Sequence, residues 1–364
     1  MVKSLRCGDQ VVGLALHSSE SLAAVGLITG ELELWKYDDQ EDRCKGKSVV
    51  HSESCRVVKF SEDGSKLYSG SADRSINVMD LEGKVLWKHS DAHSSAVNCL
   101  ASIEESSSLL LSGDEMGEIK LWDARQKSAA LSSLQEQTDY ISDMVYTSAK
   151  KTLLVTSGDG SLGVFDLKKG MTKLASKQIS GARDDDYLSM QIVKNGSKVV
   201  IGTQDGILNF YNWGEWGDLV DRFPGHPSSI ESMLKVDEST VCTGSMDGMI
   251  RIVNIFPHKL LGVIGDHTDF PIERLAWTHD RRAIASSSHD SKVRFWDASC
   301  LVEDEDEDED EEDEESDGSE TSEEKPKKKR KGELDPAQEK RKAKIEHKEM
   351  SSASAKNRDF FSDI

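Results

Sequence analysis

The sequence predicts an all-β fold: a seven-bladed β-propeller followed by a disordered, charged C-terminal tail. Three observations carry this. A small-residue turn, usually holding an Asp, leads into alternating apolar residues that end in an aromatic or its substitute, and this happens seven times. The endings are Leu34-Trp35, Val78-Met79, Leu121-Trp122, Val164-Phe165, Phe210-Tyr211, Ile252-Val253 and Phe295-Trp296. The steps between them are 44, 43, 43, 46, 42 and 43 residues, and a fixed period in this range marks stacked blades. After residue 302 the pattern stops, and residues 303–315 are thirteen consecutive acids.

The expected domains are a propeller over residues 1–300, an acidic run and basic cluster over 301–332, and a charged tail over 333–364. Residues 303–364 carry 24 acids and 13 bases, and the remainder carries 43 against 33. Neither part is basic, which disfavours nonspecific or direct sequence-specific nucleic-acid binding by the body. The six cysteines form no Cys-x-x-Cys pair and no zinc spacing, which suits a reducing compartment. No apolar run approaches a membrane span, and the expectation is a soluble intracellular protein with no membrane association.

The seventh repeat is the fullest. His267 is followed by Leu275-Ala276-Trp277, Ala283-Ile284-Ala285-Ser286, Asp290, and Val293-Arg294-Phe295-Trp296-Asp297. Three short alternating runs separated by polar turns read as antiparallel strands. Too few residues remain after Asp297 for a fourth strand. Residues 2–6 precede the first blade's inner strand and are expected to supply that missing outer strand, latching the ring.

These repeats resemble the WD-repeat family. Gly225-His226 and Asp266-His267 match its early dipeptide, with His51 and His93 at equivalent places. Trp122-Asp123 and Trp296-Asp297 match its ending, and Asp73, Asp159, Asp205, Asp247 and Asp290 match its turn acid. The resemblance implies a hydrogen-bonded His–Ser/Thr–Asp–Trp tetrad within a blade, and His267, Ser286, Asp290 and Trp296 supply all four. Elsewhere the set is broken: Met79 and Val253 replace the Trp, and Thr29 and Met116 replace the Asp. Repeats four and five lack the early His and are expected to rely more on apolar packing alone.

Repeat three ends Leu121-Trp122-Asp123-Ala124-Arg125. Trp-Asp-x-Arg resembles the box by which substrate receptors of cullin-4 ubiquitin ligases bind the DNA-damage-binding adaptor. The physical reading is that Trp122 anchors in the blade, Asp123 orients the arginine, and Arg125 projects a planar, permanently charged fork. An arginine after Trp-Asp also serves as an ordinary solvated loop residue. The other Trp-Asp continues Ala298-Ser299 and lacks the arginine.

No catalytic residue is expected. His267, Ser286 and Asp290 have a triad's composition, but partial copies recur from blade to blade, and no nucleophile elbow surrounds the serine. Asp184-Asp185-Asp186 reads as a solvated turn rather than a metal site, and no phosphate loop opens a helix, so neither metal nor cofactor is expected.

In the tail, like charges at high density and few apolar residues predict disorder. The run reads as a solubilising spacer or as a surface for basic partners such as histones or pre-ribosomal proteins. Lys325-Pro326-Lys327-Lys328-Lys329-Arg330-Lys331 resembles a monopartite nuclear import signal, which implies importin as a partner. Asp335-Pro336 suits the start of a short helix. Phe360-Phe361 stand out near the end as a docking motif or a segment folding back.

Degenerate blades, acidic run, lysine-rich signal and Phe-Phe together resemble the WD repeat-containing protein 55 family, with Trp122-Asp123-Ala124-Arg125 marking a plant-type member. That resemblance implies a nuclear, often nucleolar, scaffold tied to ribosomal RNA maturation, and in plant members an association with cullin-4 ligase.

Overall fold

A computed structural model describes residues 3–37, 43–103, 105–126, 129–168 and 171–302. The chain divides into two compact units, residues 1–298 and 299–364. Within the second, the described residues form one short 3-10 turn, Ser299–Leu301. The expectations for the acidic run, the import signal Lys325–Lys331, the helix after Asp335 and Phe360-Phe361 lie outside the described residues.

The first unit is all β, in seven four-stranded antiparallel sheets. Strand β1 (Lys3–Arg6) comes first. Blade 1 is β2 (Val11–Leu16), β3 (Leu22–Leu27), β4 (Glu31–Lys36) and β5 (Arg43–Val49). Blade 2 is β6 (Val57–Phe60), β7 (Lys66–Gly70), β8 (Ile76–Asp80) and β9 (Val85–His89). Blade 3 is β10 (Val97–Ile103), β11 (Ser106–Asp114), β12 (Glu118–Asp123) and β13 (Ser132–Gln135). Blade 4 is β14 (Ile141–Thr147), β15 (Thr152–Ser157), β16 (Leu162–Lys168) and β17 (Lys173–Ile179). Blade 5 is β18 (Tyr187–Val193), β19 (Lys198–Thr203), β20 (Ile207–Asn212) and β21 (Asp221–Pro224). Blade 6 is β22 (Ile230–Lys235), β23 (Thr240–Ser245), β24 (Met249–Ile255) and β25 (His258–Asp266). Blade 7 is β26 (Ile272–Trp277), β27 (Ala283–Ser288) and β28 (Lys292–Asp297), completed by β1.

The core lies between blades. One cluster joins Val57, Tyr68, Val78 and Trp87 of blade 2 to Val97, Leu100, Leu110 and Trp122 of blade 3. Another joins Leu154 and Val164 of blade 4 to Tyr187, Met190 and Tyr211 of blade 5. Sheets covered on both faces need apolar or small residues at every position of their middle strands. Accordingly β3, β15 and β23 are buried along their whole length. The tight turns use glycine where the backbone must go left-handed. Gly117 has φ of 81°, and a Cβ there would strike the Gln137 carbonyl of the next blade's entry loop.

The ring closes as expected. β1 runs antiparallel to β28, with Lys3 opposite Phe295 and Leu5 opposite Val293. Leu5 is 1% exposed and joins a cluster with Val11 and Leu14 of blade 1. Strand alternation then fixes two ends. First-to-second and third-to-fourth strand connections share one end, the lower end. Second-to-third and blade-to-blade connections share the other, the upper end.

Candidate functional site

The Trp122–Arg125 segment leaves β12 at the lower end of blade 3. Leu121 is fully buried, Trp122 is 2% exposed, and Asp123 is 7% exposed. Trp122 donates its indole N–H to Ser112 Oγ at 2.7 Å, and its ring meets Trp87 of blade 2 edge-on at 5.9 Å. The ring is thereby fixed by both its own blade and its neighbour.

Asp123 organises the loop beyond the strand. Its Oδ1 accepts the Arg125 backbone N–H at 3.0 Å and the Nε–H at 2.9 Å, and its Oδ2 accepts Nη2 at 2.6 Å. A planar guanidinium on a planar carboxylate is the geometry that best defines an arginine's direction. Arg125 holds the Asp123 carboxyl below the usual carboxylate range. The carboxylate side chain is 4% exposed while the arginine side chain is 72% exposed. A buried acid thus carries an oriented cation on the molecular surface.

Two further residues support the loop, and sequence reasoning gives them no weight. Gln126 Nε2 donates to Asp123 Oδ2 at 3.2 Å, and the Gln126 carbonyl accepts Trp87 Nε1 at 2.7 Å. Trp87 sits on the outer strand β9, where the repeat pattern predicts nothing specific. Its only sequence trace is a tryptophan that follows Val85 and Leu86, both exposed, in that strand.

Behind the loop lies the network that holds Trp122. His93 Nε2 is 2.6 Å from Ser112 Oγ, and Asp114 Oδ2 stands 3.3 Å from His93 Nδ1. The expectation that Met116 leaves blade 3 without its acid is therefore corrected. Asp114, two residues earlier, takes that place and also accepts the Met116 and Glu118 backbone N–H groups. Burial pushes the Asp114 carboxyl up, but its contacts with His93, Ser95 and the backbone outweigh that and the net shift is down. His93, Asp114 and Glu118 offer ligand atoms within 4.8 Å of one another. These groups are committed to the fold, because Glu118 pairs with Lys120 at 3.0 Å and Asp114 serves the turn and the histidine.

Blade 7 brings together all four of its expected residues. His267 Nε2 lies 2.7 Å from Ser286 Oγ and Nδ1 lies 3.2 Å from Asp290 Oδ2, while Trp296 donates to Ser286 Oγ at 2.7 Å. His267 and Ser286 are fully buried, and the serine oxygen is occupied from two sides.

The other blades substitute for missing members. In blade 1, Thr29 leaves the turn without an acid, and buried Glu33 accepts Trp35 Nε1 at 2.8 Å, the Gly8 N–H at 3.0 Å and the Lys47 ammonium. In blade 2, where Met79 replaces the tryptophan, His51 sits between Ser69 and Ser75 at 2.9 and 2.8 Å. Blade 4 places Gln137 in the histidine position, donating to Ser161 Oγ at 3.1 Å. Blade 5 pairs Tyr187 OH with Tyr211 OH at 2.9 Å. Blades 4 and 5, expected to rely more on apolar packing, thus each keep a buried polar link as well. In blade 6, His226 Nε2 meets Thr243 Oγ1 at 2.8 Å.

Comparison with known proteins agrees with this architecture. The family model described as WDR55 matches residues 2–301. WD repeat-containing protein 55 of Homo sapiens is 41% identical over 292 residues, covering 79% of this chain and 74% of the relative. The Arabidopsis thaliana protein of the same name is 39% identical over 299 residues, covering 81% and 82%. WD repeat-containing protein JIP5 of Coprinopsis cinerea is 36% identical over 300 residues, covering 80% and 72%. With the propeller and the match along almost all of it, the chain belongs to the WD repeat-containing protein 55 family.

Proposed function

We propose that this protein is a non-catalytic nuclear scaffold that docks the DNA-damage-binding adaptor of a cullin-4 ubiquitin ligase through Leu121, Trp122, Asp123 and Arg125, and presents a target elsewhere on its surface. The supporting observation is the Arg125 fork: two-pronged on a buried carboxylate, yet largely exposed at the end of a rigid strand. A pre-oriented arginine loses little freedom on binding, which is why such residues dominate interfaces. Catalysis is not part of the reading, because the serine of the His267–Ser286–Asp290 set is buried beneath Trp296.

The test is affinity purification of wild type beside Arg125→Ala, with mass spectrometry of the recovered partners. The adaptor should disappear from the variant, while the propeller still unfolds in one cooperative transition, because Asp123 keeps the residue 125 backbone N–H and Gln126 Nε2 as donors. Equal recovery of the adaptor with both proteins overturns the reading.

A second reading uses the tail: a nucleolar ribosome-assembly or chromatin scaffold, imported through Lys325–Lys331 and engaging histones or pre-ribosomal proteins through residues 303–315. Its support is the unbroken acidic run over 303–315 and the lysine cluster that begins at Lys325, with nine residues between them. Removing residues 303–330 should strip basic partners and reduce nuclear accumulation. Identical partners and location with and without that segment sink it.

A further inference from the structure

At the lower end of blades 4 and 5, the turns between first and second strands are basic, although the β20–β21 connection beside them carries Glu215 and Asp218. At the upper end, connection after connection carries acids, among them Asp9, Glu53, Asp91, Asp139, Asp184 and Asp205. At the lower end, the β14–β15 turn carries Lys150 and Lys151, and the β18–β19 turn carries Lys194, with Lys198 opening β19. Lys168 and Lys173 flank the same end of the β16–β17 connection. None of these six is ion-paired among the described residues. The nearby salt bridges run instead from Lys177 to Asp166 and from Lys235 to Glu238.

The two turns form one surface. The Lys150 ammonium donates to the Gly196 carbonyl in the neighbouring turn and lies 3.6 Å above the Trp213 ring. Lys194 and Lys198 stand 5.3 and 5.0 Å from the Phe256 ring. Lysine stems laid over aromatic rings lose mobility, so their charges are held in place.

The backbone adds an independent sign. Lys151 has φ of 50° and Lys194 has φ of 53°, both in the left-handed region. Blade 2 uses Gly64, φ 69°, at the position corresponding to Lys151, each N–H closing its turn onto a serine carbonyl. Glycine would adopt this conformation without strain, so lysine is kept at a conformational disadvantage.

We propose that these two turns form a docking surface for an acidic polypeptide segment of a partner protein. Carboxylates fit better than nucleic acid here. Single-stranded nucleic acid needs bare ring faces on which bases stack, and these rings are covered by ammonium groups.

The experiment measures fluorescence anisotropy of a labelled peptide of alternating Asp and Glu, and of a labelled oligouridine, against the full chain. The variants are Lys151→Gly/Lys194→Gly and Lys151→Arg/Lys194→Arg. The glycine pair should unfold at the same or a higher temperature while binding the acidic peptide about fivefold more weakly, the scale of one to two exposed ion pairs. The arginine pair should retain the affinity. Unchanged peptide binding by the glycine pair overturns the proposal. So does a lowered unfolding temperature, which would make the lysines servants of the fold, or tighter binding of oligouridine than of peptide by wild type.

Discussion

Blades 3 and 5 are the same four-stranded sheet held by different means. Blade 3 uses a buried chain of polar groups, from Asp114 through His93 and Ser112 to Trp122. Blade 5 has no histidine at the entry position, where Arg183 stands exposed, and joins its first and third strands through Tyr187 and Tyr211, both fully buried. The difference shows what the repeat requires. It needs a bulky, hydrogen-bonded tie between strands, and the identity of the tie is free. Where the tie is the tryptophan network, the end of the third strand is also anchored through the indole, as Trp122 is to Ser112.

Substitutions test how far the two blades differ. Trp122→Ala is expected to have the largest effect. It removes a nearly fully buried ring, takes one of the two partners of Ser112 Oγ and the packing partner of Trp87, and should cost about 3–5 kcal/mol. A urea titration should show that loss, and adaptor recovery should fall with it. A loss below about 1 kcal/mol would mean that blade 3 relaxes around the gap as blade 5 does without the network.

Acidification separates the histidine blades from blade 5. Burial, followed by the charge of Arg251, pushes the His226 imidazole down to about 4. Burial lowers His51 and His267 as well. Each is neutral in the fold and takes a proton more readily when unfolded. Their contribution is fully present above about pH 6.5 and is lost as pH falls through the folded values, by roughly 2–3 kcal/mol for His226 alone. Urea midpoints between pH 7 and 4 should therefore drop, and drop less steeply in His226→Gln. Parallel curves for the two proteins would remove His226 from the explanation.

The smallest contrast sets one hydroxyl in each blade side by side. Ser112→Ala leaves the Trp122 N–H and His93 Nε2 without their common partner and should cost about 1–3 kcal/mol. Tyr187→Phe in blade 5 leaves one hydroxyl without its mate and should cost about 1 kcal/mol. Equal losses in thermal unfolding would show that the polar chain of blade 3 behaves no differently from a single bond.

The large features were legible in the sequence because they repeat. Seven aromatic-type endings at one spacing dictated seven sheets, and the shortage of residues after Asp297 dictated that β1 pair with β28. The blade 7 network was legible because all four residues stand at their usual offsets. The substitutions were not. Asp114 replaces an acid from two residues away, and Glu33 replaces one from the strand itself, so a position-by-position reading finds only Met116 and Thr29. Gln137 and the Tyr187–Tyr211 pair use other chemistry at or near the same place. At the proposed docking loop, the motif identified Arg125, but its two-pronged seat on Asp123 depends on local side-chain geometry and the support from Trp87 on a contact across blades.

The pairing of β1 with β28 has a consequence for biogenesis. During translation, Lys3–Arg6 emerges before the other described strands and yet has no partner until almost the entire propeller has emerged. Leu5 and its neighbours must stay unclaimed through that interval, shielded by chaperones or by transient contacts. A nascent chain halted before residue 292 can assemble most of its sheets but cannot seal them, and quality control would meet it as an open arc with a loose leading strand.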